Sequence, residues 1–222
     1  MRTVIFDLDG TLADTSADMI AAANACFRAR GHGDVLDPAR DALTAFHGGR
    51  AMLREGFARL GVGGTVEIET EYSRFLEYYG SAIAVHSRLY PGARAAVEVL
   101  AAEGTALGIC TNKPQALAEA LLSELGLRDA FASLIGADTL PQRKPDPAPY
   151  LAAVAGAGGR LSRSMLIGDT ATDRECARAA GVPVAQVTFG PEQRGIARLE
   201  PEAMLDHFDN LPALVREVLG AP

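Results

Sequence analysis

The stretch VIFDLDGTLAD, residues 4–14, determines how the rest of the chain is interpreted. Its first three residues are apolar and predict a short buried strand that ends at Asp7. A second aspartate, Asp9, follows two residues later, and on an extended backbone residues i and i+2 point to the same side. Two carboxylates at one place repel each other unless a cation lies between them or one is protonated. The stretch therefore indicates a divalent-metal site, a nucleophile paired with an acid, or both; the alternative is an ordinary Asp-Gly turn.

Amino-acid composition and net charge limit the class of protein to which this chain can belong. The 222 residues are 48% hydrophobic and 22% charged, as is typical of one medium globular domain or one domain with an insertion. A net charge of −7 argues against nucleic acid or an anionic membrane as the main partner. The apolar runs are too short to span a membrane, and the first ends too early for a signal peptide. Three cysteines without CxxC spacing favour a reducing cytosol, and no pattern indicates an oligomeric state.

Lysine is scarce in this chain. Of 21 basic residues, two are lysines, Lys113 and Lys144, and the others are arginines. Lysine carries a compact, flexible point charge and arginine a planar fork, so the two are not interchangeable beside an oxyanion. The two lysines are therefore candidate functional residues, and the alternative is that two surface lysines remain by chance.

Short apolar runs predict a parallel sheet. The predicted strands are residues 3–7, 105–110, 133–136, 164–168 and 182–187. Helical stretches at 92–103, 114–125 and 170–180 separate most of them. Apolar strands that alternate with helices are typical of a parallel sheet covered on both faces. Right-handed crossovers make this a doubly wound α/β domain, with ligands expected at the carboxyl ends of the strands.

About a hundred residues separate the first two predicted strands, far more than one crossover needs. Helices are predicted within this segment at residues 16–30, 37–46, 50–60 and 66–86. We therefore expect a core domain formed by residues 1–14 and 88–222, and a helical cap domain formed by residues 15–87. The cap is anchored just after the Asp7 loop, so it could close over that loop as a lid.

Polar residues also follow the second predicted strand, in GICTNKP. Thr111 and Asn112 lie at the strand end, and Pro114 suits the first position of the next helix. A hydroxyl, an amide and a helix N-terminus together favour anion binding. The alternative is that Thr111 or Asn112 only caps that helix.

Two later stretches add a cation and two more carboxylates. In LPQRKPDPAPY, four prolines surround Lys144 and stiffen its loop, so its charge is held in one place. In MLIGDTATDRECA, Asp169 ends a buried strand and Asp173 lies one helical turn further on. Carboxylate oxygens of this kind suit magnesium, although an aspartate here could also be a helix N-cap.

The motif order DLDGT, CTN, KPDP and GDTATD resembles the haloacid dehalogenase superfamily of aspartate-nucleophile phosphatases. The stretches CTNKP and GADTLPQRKPDPAPY are similar to those of its phosphoglycolate phosphatase branch, and the helical insertion is similar to that family's alpha-helical cap. The expected fold class is α/β, a doubly wound, Rossmann-like parallel-sheet core with an inserted α-helical cap domain.

The resemblance implies roles for the matching positions. Asp7 would attack phosphorus to form an aspartyl-phosphate, and Asp9 would protonate the leaving alcohol and later deprotonate water. Thr111 and Lys144 would bind the phosphoryl oxygens, with Asn112 close by.

The same resemblance implies a magnesium cofactor. Mg²⁺ would bind to Asp7, to the backbone carbonyl of Asp9 and to Asp169. Asp173 would stand behind these ligands.

The implied partner is a small phosphorylated metabolite, with 2-phosphoglycolate as the first candidate and a sugar phosphate or pyrophosphate as alternatives. Within the superfamily, Asp9 argues against dehalogenases, which lack the second acid. The lack of lysine in residues 1–112 argues against phosphonate-cleaving members. Met19 stands where beta-phosphoglucomutases carry histidine, which argues against mutase chemistry. His47 and Arg50 lie at a break between cap helices and are candidates for substrate selection. The Arg50 guanidinium is suited to bind a carboxylate. The alternative is that Arg50 is an ordinary solvated residue of its helix.

Two alternatives come from other classes. A receiver-like signalling domain also collects aspartates, a threonine and a lysine around magnesium, but it would be half as long and would lack the insertion. A binding protein with a decayed active site would have lost a catalytic position, and every position is present here.

Overall fold

The computed structural model describes residues 1–62 and 64–220. The chain divides into two compact units: a core unit, Met1–Ala13 with Leu89–Pro222, and a helical unit, Asp14–Arg88. In the part of the chain that is described, no helix has both the length and the apolar character needed to cross a membrane.

The two units together contain the following strands and helices, numbered in chain order. The strands are β1 (Thr3–Phe6), β2 (Ala13–Asp14), β3 (Arg88–Leu89), β4 (Ala106–Cys110), β5 (Ser133–Ile135), β6 (Ser164–Gly168), β7 (Val184–Val187) and β8 (Ala203–Leu205). The α-helices are α1 (Ser16–Ala29), α2 (Ala42–Phe46), α3 (Gly49–Arg59), α4 (Thr65–Ser81), α5 (Ala93–Ala102), α6 (Gln115–Glu124), α7 (Ala148–Gly156), α8 (Ala171–Ala180) and α9 (Leu211–Leu219). Short 3₁₀ helices cover Arg128–Ala130, Leu161–Arg163, Gln193–Leu199 and Phe208–Asn210.

Six strands form one parallel sheet in the order β5-β4-β1-β6-β7-β8. Strand β1 lies between β4 and β6, with Ile5 opposite Gly108 on one side and Leu166 on the other. The chain leaves β1 toward β4 and β5, then returns to β6 and continues outward to β8, so the strand order reverses beside β1. This confirms the doubly wound α/β prediction, and it places the expected ligand site at the carboxyl ends of β1, β4 and β6.

The core of this sheet is apolar on both faces. All four residues of β1 are buried, as expected for a central parallel strand. Ile5 and Leu166 pack with residues of α7 and with Cys176 of α8 in one buried cluster. The central strands, whose carboxyl ends meet at the expected ligand site, are therefore packed on both faces of the sheet.

Four helices, α1 to α4, make up most of the helical unit. The rings of Phe27 and Phe57 meet edge to face with centroids 5.3 Å apart, and they join α1 to α3. A Cβ on Gly56 would overlap the Phe27 ring, so only glycine permits this close approach. Asp18 accepts hydrogen bonds from the backbone N–H groups of His86 and Ser87 and from the Ser87 hydroxyl. The start of α1 is therefore joined to the end of the same unit.

Several boundaries differ from the sequence-based prediction. The helix predicted at 66–86 ends at Ser81, because Ala82 has a non-helical backbone and the following residues turn toward Asp18. The helix predicted at 37–46 begins only at Ala42, because Asp37 and Asp41 build a turn by accepting local backbone N–H groups. Strand β8 and helix α9 lie beyond residue 187, where no element was predicted.

Candidate active site

Asp7 and Asp9 lie at the carboxyl end of β1. The backbone N–H of Asp7 donates to the carbonyl of Ile167 at 2.9 Å, so Asp7 still belongs to the hydrogen-bond ladder between β1 and β6. The chain then turns sharply, and Gly10 adopts φ of 80°, a conformation that glycine adopts readily. The carbonyl of Leu8 accepts the backbone N–H groups of the turn that follows. The first strand therefore delivers both carboxylates to one edge of the sheet.

Lys144 bridges two of the site's carboxylates. Its Nζ lies 2.6 Å from Oδ1 of Asp173 and 3.1 Å from Oδ1 of Asp7. Its side chain is 1% exposed, and that of Asp7 is 12% exposed. The Asn112 amide donates to the Lys144 backbone carbonyl at 2.9 Å, which ties the lysine loop to the end of β4. The lysine charge is therefore fixed between the end of β1 and the start of α8.

Asp169 and Asp173 are held by different groups. The Thr11 hydroxyl donates to Oδ1 of Asp169 at 2.7 Å. Thr170 caps α8: its hydroxyl accepts the Asp173 N–H, while Asp173 Oδ2 accepts the Thr170 N–H and hydroxyl. Both oxygens of Asp173 are therefore engaged, one by Lys144 and the other by Thr170.

Two buried carboxylate oxygens accept no hydrogen bond from the described residues, although the one on Asp7 is ion-paired with the Lys144 ammonium at 3.1 Å. They are Oδ1 of Asp7 and Oδ2 of Asp169. Carboxylate atoms of Asp7, Asp169 and Asp173 lie within 4.8 Å of one another. An unsatisfied buried carboxylate oxygen is costly, and a cation bound between two of them removes that cost.

The electrostatics of the site favour an added positive charge. Burial raises the pKa of Asp7 to about 6, even though Lys144 acts in the opposite direction, and Asp173 and Asp9 raise it further. Burial, followed by the charges of Asp7 and Asp173, raises the pKa of Asp169 well above its usual range. Burial alone would lower the pKa of Lys144, but Asp173 and Asp7 raise it well above the ordinary value. The site therefore holds more negative charge than Lys144 balances, and this oxygen-only donor set fits a hard divalent cation.

The end of β4 supplies the polar groups predicted from GICTNKP. The Thr111 N–H donates to the carbonyl of Ile135 at 2.9 Å, and its hydroxyl accepts the Lys113 N–H at 3.2 Å. The first N–H of α6, from Gln115, donates to the carboxylate of Asp138 at 2.8 Å. A side-chain carboxylate therefore occupies the start of α6, where the sequence suggested an open anion site.

Sequence reasoning assigned no role to three residues that the structure places at the site. Lys113 lies 3.0 Å from Oδ1 and 3.3 Å from Oδ2 of Asp9, and its scarcity was the one signal that singled it out. Thr11 orients Asp169, and its place in the DLDGT stretch gave no hint of that contact. At Gly190, after β7, a Cβ would lie 2.9 Å from the Gly10 carbonyl oxygen and 3.3 Å from the Asp169 Cβ. Glycine at 190 lets this loop approach the site closely.

The two candidates for substrate selection lie in the helical unit. Arg50, in the first turn of α3, donates from Nε and Nη2 to both oxygens of Glu69 at 2.8–3.1 Å. Its guanidinium also lies over the ring of Tyr72, 3.6 Å from the centroid. His47 follows α2 and is exposed. Glu69 and Tyr72 therefore hold the Arg50 guanidinium within its own unit.

Comparisons with known proteins agree with this fold. Residues 4–187 match the family of haloacid dehalogenase-like hydrolases. A phosphoglycolate phosphatase of Agrobacterium fabrum is 38% identical over 220 residues, which covers 97% of this chain and 93% of the relative. One from Rhodospirillum rubrum is 37% identical, covering 95% of this chain and 89% of the relative. The crystal structure of a predicted phosphoglycolate phosphatase from Haemophilus somnus 129PT superposes with a TM-score of 0.85 at 25% identity, covering 96% of this chain and 97% of that one. The chain therefore belongs to the haloacid dehalogenase-like hydrolase family, and within it the chain is a phosphatase.

Proposed function

We propose that this phosphatase hydrolyses 2-phosphoglycolate to glycolate and phosphate, with Mg²⁺ as cofactor and an aspartyl-phosphate as intermediate. The observation that carries the mechanism is the buried Asp7 carboxylate, whose Oδ1 accepts no hydrogen bond from the described residues and lies 3.1 Å from Lys144 Nζ. The relatives named phosphoglycolate phosphatase support the choice of substrate.

Asp7 acts as the nucleophile. One carboxylate oxygen attacks phosphorus, a new phosphorus–oxygen bond forms, and the bond to the glycolate oxygen breaks. A covalent intermediate of this kind divides one difficult displacement into two easier steps. The fixed position of Asp7 at the end of β1 supports this role, because it keeps the attacking oxygen in place.

Asp9 moves the proton in both steps. It donates a proton to the departing glycolate oxygen, and afterwards it takes a proton from the water that attacks phosphorus. That attack breaks the bond between phosphorus and Asp7 and releases phosphate. Acid–base catalysis of this kind contributes roughly 10²–10⁴-fold to the rate. The Asp9 side chain is 19% exposed, which is compatible with access to both alcohol and water.

Charge balance is the second requirement, since a carboxylate and a phosphate repel each other. Mg²⁺ held by Asp7, Asp169 and the Asp9 backbone carbonyl would supply positive charge at the phosphate oxygens. The oxygens of Asp7 and Asp169 that accept no hydrogen bond from the described residues support this ligand set. Asp173 is not a direct ligand in this proposal; it accepts a hydrogen bond from Lys144 and keeps that lysine in place.

Phosphate binding uses residues at the carboxyl end of β4 and Lys144 in its proline-rich loop. We assign the phosphoryl oxygens to the Thr111 hydroxyl and to the Lys144 ammonium. Asn112 belongs to the same group of residues, and its hydrogen bond to the Lys144 carbonyl supports a role in keeping that loop in place.

The helical unit is proposed to serve as the cap domain, residues 15–87, on a core domain of residues 1–14 and 88–222. In this proposal the cap recognises the leaving group, with Arg50 and His47 as the candidate residues. A small phosphorylated metabolite is then the partner, and the cytoplasm is the proposed location, since the three cysteines are free thiols.

The experiment that tests the function compares the wild-type protein with Asp7→Asn. Wild type should hydrolyse 2-phosphoglycolate with MgCl₂, prefer it in a panel with sugar phosphates and pyrophosphate, and be trapped by fluoroberyllate as an aspartyl-phosphate mimic. Asp7→Asn should stay folded and lose both turnover and trapping. Wild-type-like turnover in Asp7→Asn, checked for deamidation, would overturn the mechanism. A preference for a sugar phosphate or pyrophosphate would overturn the substrate, and a lack of any turnover would favour a receiver-like or binding domain.

A further inference from the structure

Each aspartate of the DLD pair has its own lysine. Lys144 lies beside Asp7, whereas Lys113 lies 3.0 Å from Oδ1 and 3.3 Å from Oδ2 of Asp9. These are the two lysines of a chain whose other 19 basic residues are arginines. We infer that Lys113 is a positioning residue for Asp9, and this inference rests on the proposed acid–base role of Asp9. The Lys113 ammonium holds the Asp9 carboxyl group in the orientation from which it exchanges protons with alcohol and water.

The backbone of Lys113 is fixed on both sides, so its side chain starts from a defined point. Its N–H donates to the Thr111 hydroxyl at 3.2 Å, and its carbonyl accepts the Ala137 N–H at 2.9 Å. Pro114 follows at the N-cap of α6 and restricts the backbone further. Lys113 is therefore fixed by the same strand end that presents Thr111.

Burial keeps the Lys113 charge directed at Asp9. The Lys113 side chain is 3% exposed, and that of Asp9 is 19% exposed. A buried ammonium needs a partner nearby, and Nζ lies close to both carboxylate oxygens of Asp9. The Asp9 side chain, on the turn after β1, would otherwise choose among several rotamers. The lysine therefore reduces the freedom of the group that must meet the leaving oxygen.

Proton transfer depends strongly on such orientation. The donor atom must come within hydrogen-bond distance of the leaving oxygen, and small misplacements cost large factors in rate. An alkyl phosphate depends on this proton, because an alkoxide is a poor leaving group. An aryl phosphate such as p-nitrophenyl phosphate depends on it much less, since p-nitrophenolate leaves without protonation. The two substrate types therefore separate a positioning role at Asp9 from a role in binding phosphate.

The test uses Lys113→Met, which keeps the length of the side chain and removes its charge. Because kcat/KM reports the steps up to alcohol release, it is measured for 2-phosphoglycolate, for glycerol 2-phosphate and for p-nitrophenyl phosphate. We expect a loss of about 10–100-fold for the two alkyl esters and of less than about threefold for the aryl ester. The inhibition constant of inorganic phosphate should stay within about threefold. Arg178→Met, which removes an exposed charge on α8, is the matched control, and thermal unfolding of each variant checks the fold.

A double-mutant cycle gives the second measurement. Asp9→Asn with Lys113→Met should be no worse than Asp9→Asn alone, because a positioning residue has no effect once its target is gone. Multiplying losses would overturn the inference, as would equal losses on aryl and alkyl esters or a weaker inhibition by phosphate. A loss confined to 2-phosphoglycolate would overturn it in favour of carboxylate recognition.

The failure of the proposed function can be told apart from the failure of this inference. If the wild-type protein hydrolyses glycerol 2-phosphate and the aryl ester but not 2-phosphoglycolate, the proposed substrate is wrong and the comparison of alkyl with aryl esters still decides the role of Lys113. If Asp9→Asn keeps its full activity on alkyl esters, the acid–base role of Asp9 and the role of Lys113 are both wrong.

Discussion

Replacing Lys144 with methionine removes the cation that lies between Asp7 and Asp173. The ammonium is 2.6 Å from one carboxylate and 3.1 Å from the other, and its side chain is 1% exposed. Methionine has nearly the same length and fills the same space without a charge. The variant therefore leaves the carboxylates of Asp7, Asp169 and Asp173 within 4.8 Å of one another without that ammonium.

The magnitude follows from the burial of this pair. Breaking a buried ion pair by removing one partner costs about 3–5 kcal/mol, because an uncompensated charge remains in the interior. For a chain of this size each kcal/mol lowers the melting temperature by about 2–4 °C. We therefore expect Lys144→Met to melt roughly 6–20 °C below wild type in EDTA. A bound divalent cation would neutralise part of the remaining charge, so the difference should shrink in MgCl₂.

The assay is thermal unfolding of both proteins in EDTA and in MgCl₂, with phosphatase activity measured in parallel. Lys144→Arg is the informative companion, because it keeps the charge but replaces a compact ammonium with a planar fork. It should recover part of the stability while still losing much of kcat. A melting temperature within about 2 °C of wild type for Lys144→Met in EDTA would refute the reasoning, since a buried, paired cation cannot be removed at so small a cost. Near-normal kcat in Lys144→Arg would show that only the charge matters.

Three further predictions concern single side chains. Because the folded-state pKa of Asp7 is raised to about 6, its carboxyl destabilises the fold as pH rises from about 4 through 6. The melting-temperature advantage of Asp7→Asn over wild type in EDTA should therefore grow between pH 4.5 and 7.5, and a constant difference would contradict this. Thr11→Val removes the donor to Asp169 Oδ1 and should weaken Mg²⁺ binding about tenfold in a calorimetric titration, whereas Thr11→Ser should not. Arg50→Ala should lower kcat/KM for 2-phosphoglycolate about tenfold or more and leave kcat/KM for p-nitrophenyl phosphate unchanged. Glu69→Gln, which weakens the hold on Arg50, should not reproduce that loss, and equal losses on both substrates would indicate cap damage.

The predictable parts of this fold depend on local patterns. The strand that ends at Asp7 is predictable because its apolar run stops abruptly at a charge. The helix predicted at 170–180 matches α8, which begins at Ala171 and places Asp173 in its first turn. The end of α4 was placed five residues too late, because residues 82–86 look helical in sequence and are held otherwise by Asp18.

Contacts between distant parts of the chain were not predictable in the same way. Lys113 and Asp9 are 104 residues apart, and their meeting depends on β1 and β4 being neighbours in the sheet with the observed register. The pairing of Arg50 with Glu69 likewise depends on how α3 and α4 pack, which hydrophobic spacing alone does not specify.

The scarcity of lysine gives this protein an unusual chemical selectivity. Its two lysine amines, on Lys113 and Lys144, are 3% and 1% exposed, and they lie beside Asp9 and Asp7, the aspartates proposed to be catalytic. A lysine-acylating reagent therefore has no side-chain amine to modify until the site itself opens. The rate at which the reagent labels these lysines would measure how often the site opens to solvent. Each acylation would remove one positive charge from the site.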